Sequence, residues 1–521
     1  MIELAPLLEK DGFSDSYRQL KRTFFDKSTQ TVKDKHRPYA KPSPGKIREH
    51  LVRCIWFDQR LGGDSIELDD GRRVSVISQG RWNLTGGPDF SHAKIDIDGE
   101  THKGDIEIHT YASDWYKHNH NQNPAYNNTV LHVVMFNDRS ITSVKRFDGS
   151  DLPQLTMSRF LEKPLAELES IMDISDYPLS SDASIGLCRK SLDEAKSETE
   201  WTAAFLDLAG DWRMLEKASR FETLLRVNTP EESLYRGIME AMGYPVNKGA
   251  FRRLASLVSW EMLQRRILRP GGKVSLISGQ AVLLGAAGLL PSQAVAGDAS
   301  TRKYASALFA EWEDAPQALR ESAMDKSEWR FAGTRPQNYP YRRIAAVSAL
   351  CAALGEKDLF VEVLRLLSDS TVGPAKARKS VEDTFCLADE TAAGFSEGRY
   401  WLSRNIFGVK KSGSPRRLFS ANTVGIIAVN ILIPFYLAFA RKTGDRGLER
   451  NLYEFYRAHP KLPPTSVTRF MRCRIFGSES HAALVNNARR QQALYQIFRD
   501  YCEHDDTHCE TCAFLKAIIE N

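Results

Sequence analysis

Two different periodicities divide this chain, and together they decide what it can fold into. Between Arg73 and Phe136, apolar and β-branched residues alternate with polar ones or gather in short blocks. From about residue 200 onward, apolar residues recur every three to four positions. The first period belongs to strands and the second to helices, so an α/β module should precede a large, mainly α-helical region. At 521 residues the chain is also too long for one ordinary domain. The expected divisions are an extension over 1–45, the α/β module over 46–160, a connector over 161–200, a helical domain over 201–497 and a cysteine-containing segment over 498–521.

Within the module a helix begins near Lys46, with Ile47, Leu51, Ile55 and Trp56 on one side and Arg48, Glu49 and Arg53 elsewhere around it. Strands are expected over Arg73–Ile77, Ala93–Ile97 and Thr101–Thr110, the last two joined by an Asp98-Gly99 turn. Ser113-Asp114 reads as the N-cap of a short helix, and Thr129–Phe136 as a further strand. The order is therefore helix, three strands, helix, strand. Farther on, Trp201–Leu225, Glu231–Met242, Gly249–Leu268, Tyr341–Leu354 and Asp358–Leu367 read as helices, the second ending at Gly243. The basic, proline-bearing stretch Lys33–Gly45 reads as a loop or linker.

Composition narrows function only a little. The net charge of +5 permits a nucleic-acid partner without arguing for one, because local patches decide such binding. Hydrophobic residues at 42% and charged residues at 26% exclude global disorder. The chain opens without a basic n-region followed by an apolar h-region, so no secretory signal is expected. Val424–Ala440 is apolar but is interrupted by Asn430 and Pro434, and reads as a kinked core helix rather than a membrane span. Cys54, Cys188, Cys351 and Cys386 sit scattered in apolar settings, as reduced buried cysteines do, which fits a cytoplasmic location.

Six of the twelve histidines fall between His92 and His132. Period-two alternation in the third strand puts Lys103, Asp105, Glu107 and His109 on one face and Ile106 and Ile108 on the other. Gly86-Gly87-Pro88-Asp89-Phe90 places a carboxylate at a tight turn before the second strand. Hairpin pairing through Asp98-Gly99 would set Asp89 opposite about His109 and diagonal to Glu107. Two carboxylates that close either share a cation or raise one pKa, and an oxygen-rich pair suits Mg²⁺ or Mn²⁺. A second reading takes His109, His118, His120 and His132 with Glu107 or Asp89 as a site for Zn²⁺ or another transition metal. Against it, His118 and His120 lie in a polar loop, and His132 reads as a half-buried strand histidine.

Pro88-Asp89 and Glu107-Ile108-His109, on strands in that order, resemble the PD-(D/E)xK nuclease superfamily. The resemblance implies that Asp89 and Glu107 hold the metal, Glu49 assists from the first helix, and His109 stands where the superfamily has lysine. Lys103 or Lys94 would then compensate for the missing charge. Gly80-Arg81, Asn83, Gly87-Pro88-Asp89-Phe90, Glu107-Ile108-His109, Ser113-Asp114-Trp115, Leu131-His132-Val133-Val134 and Asn338-Tyr339-Pro340-Tyr341-Arg342-Arg343-Ile344-Ala345 resemble a bacterial family, domain of unknown function 2851. That similarity also takes in Tyr501-Cys502, Cys509 and Cys512, and runs from about residue 46 to the end.

Cys502, Cys509 and Cys512 are spaced C-x6-C-x2-C, either half of a zinc site that His508, His504 or Cys473 would complete, or reduced free cysteines, or ligands of an iron–sulfur cluster. Arg335, Arg342 and Arg343 flank Asn338-Tyr339-Pro340, a mix of cations and an aromatic suited to phosphate and base, though a structural role with the arginines paired to acidic neighbours fits equally well. The leading expectation is a metal-dependent, nuclease-like protein that processes or binds DNA or RNA and has no membrane partner. Its rivals are a non-catalytic scaffold and a metal-dependent hydrolase of a small molecule.

Overall fold

The computed structural model describes residues 12–21, 49–62, 66–83, 87–172, 188–189, 199–291, 298–331, 334–409, 414–476, 483–502, 512 and 514–516. The expected linker over 33–45 lies outside them. Part of the N-terminal extension is docked. Phe13 is buried in the main helical core, and Tyr17 and Leu20 in a second cluster, with Lys21 ion-paired to Asp500 at 2.6 Å.

The module opens with helix α1 (Glu49–Phe57), which buries Leu51, Val52, Cys54, Ile55 and Trp56 against the sheet. The strands are β1 (Ile66–Glu67), β2 (Arg73–Ser78), β3 (Arg81–Trp82), β4 (Phe90–Ile97), β5 (Glu100–Tyr111), β6 (Thr129–Phe136), β7 (Ser143–Lys145) and β8 (Asp151–Thr156). Their order in the sheet is β1-β2-β4-β5-β6-β8-β7, with β3 paired to β4. The β2–β4 and β4–β5 pairs are antiparallel, while β5–β6 and β6–β8 are parallel, so the sheet is mixed. Parallel neighbours need a crossover. Between β5 and β6 it is built from the short helix α2 (Asp114–Lys117) and two 3-10 turns, His120–Gln122 and Pro124–Tyr126. This crossover covers the polar end of β5, which is why the Glu107 face is buried rather than solvent-facing.

Asp98 and Gly99 both adopt positive φ, 50° and 87°, as a two-residue hairpin turn requires. Four strands of this sheet went unread from the sequence. β1, β3 and β7 are two or three residues long, and β8 contains Pro153, which argues against a strand interior. Ser113 precedes α2 but caps nothing with its side chain; instead its N–H donates to Asp138 Oδ1 at 2.9 Å. The module's core also extends past residue 160, since Leu168 and Met172 are buried in it.

The rest of the described chain is mainly helical. The expected helices at Trp201–Leu225, Glu231–Met242, Tyr341–Leu354 and Asp358–Leu367 appear as Thr199–Val227, Pro230–Met242, Pro340–Leu354 and Leu359–Ser368. Gly249–Leu268 is not one helix but parts of two, Tyr244–Leu257 and Trp260–Ile267. Val258 is extended between them and Ser259 Oγ caps the second by accepting from the Met262 N–H at 3.2 Å. Gly243 is right-handed at φ −69°, so the turn is made at Tyr244, φ 49°.

Among the described residues one helix, Ala421–Thr443, is long and apolar enough to cross a membrane, and 78% of its most apolar 18-residue window is buried inside the fold. Its expected irregularity is a π-helical stretch over Ala428–Leu432 just before Pro434. Proline cannot donate to the i−4 carbonyl and its ring crowds it, and widening the turn relieves both. Asn430 ties the stretch down, donating to the Ile426 carbonyl at 2.8 Å and accepting from Lys217 Nζ at 2.6 Å.

Candidate metal centre

The hairpin register decides which carboxylates meet. From the turn inward the pairing runs Ile97↔Glu100 to Ala93↔Gly104, then a bulge shifts it so that Phe90 faces Ile106. The bulge is marked by His92, a non-glycine residue at φ 58°, whose N–H donates to Asp105 Oδ1 at 3.2 Å. Asp89 therefore lies against Glu107 and Ile108, not opposite His109. Its N–H donates to Glu107 Oε2 at 3.0 Å, and its own Oδ2 accepts from the Ile108 N–H at 3.0 Å. Asn83 supports this turn, donating through its side chain to the Pro88 carbonyl at 2.8 Å and through its N–H to the Asp89 carbonyl at 2.7 Å.

The cation beside the carboxylates is Arg53, whose Nε lies 2.9 Å from Asp89 Oδ1 and whose guanidinium also pairs with Glu49. Glu49 thus reaches the cluster through Arg53, one helical turn along α1. Lys94 and Lys103 face each other across the hairpin on the turn side of the bulge, away from this pair. Both oxygens of Asp89 already have partners, which leaves Glu107 Oε1 as the carboxylate oxygen that looks into the cluster.

Two imidazoles meet it, and a third joins them. His120 Nε2 lies 3.1 Å from Glu107 Oε1, and His109 Nε2 lies 3.5 Å from it. His109 Nε2 is also 3.1 Å from His118 Nδ1 and 3.2 Å from His120 Nε2. The ligand atoms of His109, His118 and His120 all fall within 4.8 Å of one another, as a shared ion requires. A tetrahedral ion with Zn–N bonds of about 2.0–2.1 Å would space its ligand atoms by about 3.3–3.4 Å. The separations of His109 Nε2 from His118 Nδ1, His120 Nε2 and Glu107 Oε1, at 3.1, 3.2 and 3.5 Å, are close to that spacing. His109 and His120 are buried, while His118 is exposed and leads outward.

The protonation of His109 follows from a chain of hydrogen bonds. Gln154 Nε2 donates to Asp69 Oδ2 at 2.7 Å and to the Ile141 carbonyl at 3.1 Å, which orients the amide. Its Oε1 must then accept from His132 Nδ1, at 3.0 Å. Burial pushes His132 down to about 3, so it is neutral and its Nε2 is an acceptor for His109 Nδ1–H, at 2.9 Å. His109 is itself held well below the usual histidine range, first by burial and then by His132. Its Nε2 is therefore a bare lone pair aimed at Glu107, His118 and His120. A buried ligand histidine fixed through its other nitrogen is the arrangement that metal sites use.

Burial likewise drives the acids upward. Glu107 is pushed up to about 8 by desolvation, against the pull of Arg53. Asp89 is held well above the usual carboxylate range by the same cause, again opposed by Arg53. Without a cation the centre thus holds protons that an ion would displace.

Of the residues expected from sequence, Asp89, Glu107, His109 and Glu49 are brought together. Arg53, Gln154 and Asp69 were missed, and His118 and His120, ligands in the second sequence reading, join the cluster although their polar loop also read as solvated. Elsewhere, Arg342 and Arg343 are buried, contrary to a role as nucleic-acid contacts. Arg342 donates to the carbonyls of Trp401, Arg404, Arg416 and Arg417, and Arg343 to the Leu418 carbonyl and Tyr244 Oη. Their guanidinium groups tie loops to the helix Pro340–Leu354, and Arg335 alone of the three is exposed. Cys502 and Cys512 pack partly buried against the second helical core, and Cys509, His504 and His508 lie outside the described residues.

The family described as protein of unknown function (DUF2851) matches residues 49–461 of this chain. The chain belongs to that family. The match takes in the DUF2851 sheet, the histidine–carboxylate cluster and most of the helical region, and stops short of the C-terminal cysteines that the sequence reading had included. No curated protein and no solved structure matches the chain. The motif residues acquire physical roles in the DUF2851 fold. Gly80 at φ 91° lets β3 pass Ser91 and Phe90, where an added Cβ would come within 3.0 Å of the Ser91 carbonyl.

Proposed function

We propose that the N-terminal module is a metal-dependent hydrolytic centre of nuclease-like type, with the ion held by Glu107, His109, His118 and His120. The observation that carries this reading is the convergence of three imidazole nitrogens, two of them beside Glu107 Oε1 and one a lone pair fixed by the Asp69–Gln154–His132 chain. The donor set favours an imidazole-binding divalent ion such as Zn²⁺ or Mn²⁺ over Mg²⁺. A bound ion would supply Lewis acidity toward a phosphoryl or carbonyl oxygen and lower the pKa of water there.

The chain's own residues would do the rest. His109 and His120 would bind as neutral ligands, and Glu107 would bind once deprotonated. Asp89, clamped by Arg53 and the Ile108 N–H, would position Glu107 through its own N–H. DNA or RNA is the proposed substrate, on the resemblance of Pro88-Asp89 and Glu107-Ile108-His109 to PD-(D/E)xK nucleases. The depth of the site, with Glu107 only 4% exposed and His109 fully buried, favours a second reading, hydrolysis of a small phosphoester or amide.

The test is a panel of single-stranded, double-stranded and branched DNA and RNA, with small phosphodiesters beside it, assayed with Zn²⁺, Mn²⁺ and Mg²⁺. Metal-dependent cleavage that Glu107→Gln abolishes supports the proposal, and the substrate class cleaved separates the two readings. Cleavage of nothing by metal-loaded protein would refute a hydrolytic role.

A further inference from the structure

A second site lies in the helical region, unconnected with the metal centre. A cavity of about 100 Å³ is walled by Val381 and Glu382 on the helix Pro374–Gly394, by Val424 and Ala428 before and in the π-helical stretch, and by Phe455 and His459. Arg378 and Lys461 line it as well. His459 is only 3% exposed. Its Nδ1 donates to the Pro460 carbonyl at 2.8 Å, which leaves Nε2 as an acceptor, and that nitrogen is buried with no hydrogen-bond partner. Burial and the nearby Arg378 charge keep the ring neutral. A buried acceptor with nothing to accept from costs on the order of 1–3 kcal/mol, so it asks for a donor.

Neither Arg378 nor Lys461 has an ion-pair partner among the described residues. The cavity therefore presents one bare lone pair beside the Arg378 charge, with the exposed Lys461 also lining it. We propose that it binds a small oxyanion that keeps a hydroxyl at neutral pH, hydrogenphosphate or hydrogencarbonate. The O–H would donate to His459 Nε2, and the charged oxygens would accept from Arg378 and Lys461. Sulfate matches the size and charge of phosphate but carries no O–H at this pH, so the site should reject it. Glu382 faces the same space and repels an anion, which limits affinity.

The experiment is titration calorimetry of the full chain, as purified and free of phosphate, with sodium phosphate, hydrogencarbonate or sulfate at matched ionic strength. Saturable binding is expected for phosphate or hydrogencarbonate, and the arm that binds identifies the ion. Sulfate should bind weaker by about tenfold or more, the scale of one unsatisfied buried group. Arg378→Gln should weaken binding and Glu382→Gln should tighten it. Both side chains are only partly buried, so neither change threatens the fold. His459→Gln, which offers an amide donor, should raise the affinity for sulfate relative to phosphate. Equal binding of phosphate and sulfate would overturn the proposal in favour of simple charge attraction. Binding of none of the three, or binding that Arg378→Gln leaves unchanged, would overturn it outright.

Discussion

Replacing Glu107 with glutamine should stabilise the metal-free protein at alkaline pH, although it removes a residue at the heart of the proposed site. In the folded protein burial lifts the Glu107 carboxyl from its ordinary 4.5 to about 8. A raised acid holds a proton in the folded state that the unfolded chain has released, so its contribution is fully present below about pH 4.5. Stability then falls as pH rises from there toward about 8. At about pH 7.5 the difference spans roughly three pH units, or ~4 kcal/mol as an upper figure at 1.36 kcal/mol per unit. Glutamine is permanently neutral and its carbonyl can still accept the Asp89 N–H, so it avoids this cost. Urea unfolding of chelated wild type and Glu107→Gln at pH 5 and pH 8, followed through the module's buried Trp56 and Trp115, measures it. The variant should match wild type at the lower pH and exceed it by a few kcal/mol at the higher. With saturating metal the order should reverse, because only the carboxylate gains the ion. A variant less stable than wild type at pH 8 in chelator, or a difference that does not change with pH, would refute the protonated, buried acid.

Two further outcomes follow from the same geometry. Gln154→Leu removes the group that orients His132 and, through it, His109, and should lower metal affinity by about 10- to 100-fold while leaving stoichiometry unchanged, as read by competition with a fluorescent chelator. Gly104→Ala would put a Cβ 2.3 Å from the Asn128 carbonyl, where β5 meets β6, and should cost on the order of 1–3 kcal/mol of module stability by denaturant unfolding.

How much of this was legible before the structure depended on whether the cause was local. Thr129–Phe136 reads as a strand from its β-branched run, and it is that strand to the residue. The Asp98-Gly99 turn sets the hairpin register near itself, and from there Asp89 and Glu107 were rightly placed together. The bulge at His92 was not legible, because nothing in a serine–histidine pair announces a left-handed backbone. It moved Asp89 from His109 to Glu107. His118 and His120 sit among asparagines and read as a solvated loop. They were ligand candidates by residue type alone, and what brings them to His109 and Glu107 is a crossover between parallel strands that must pass over the end of β5. Arg53 and Glu49 are one helical turn apart and were legible as a pair, but which carboxylate Arg53 would meet depends on how α1 lies on the sheet. Arg342 and Arg343 show the opposite failure. Basic residues beside an aromatic suggested phosphate contacts, whereas their donors satisfy main-chain carbonyls at loop ends inside the helical region.

The central claim is that Glu107, His109, His118 and His120 hold one divalent ion. Elemental analysis of protein purified without chelators, repeated after dialysis against Zn²⁺ or Mn²⁺, tests it most directly when run beside Glu107→Gln and His120→Ala. The account predicts close to one tightly held equivalent in wild type and its loss in both variants, with each variant still folded by circular dichroism. Wild type that retains no transition metal after loading, or variants that keep the full equivalent, would contradict it.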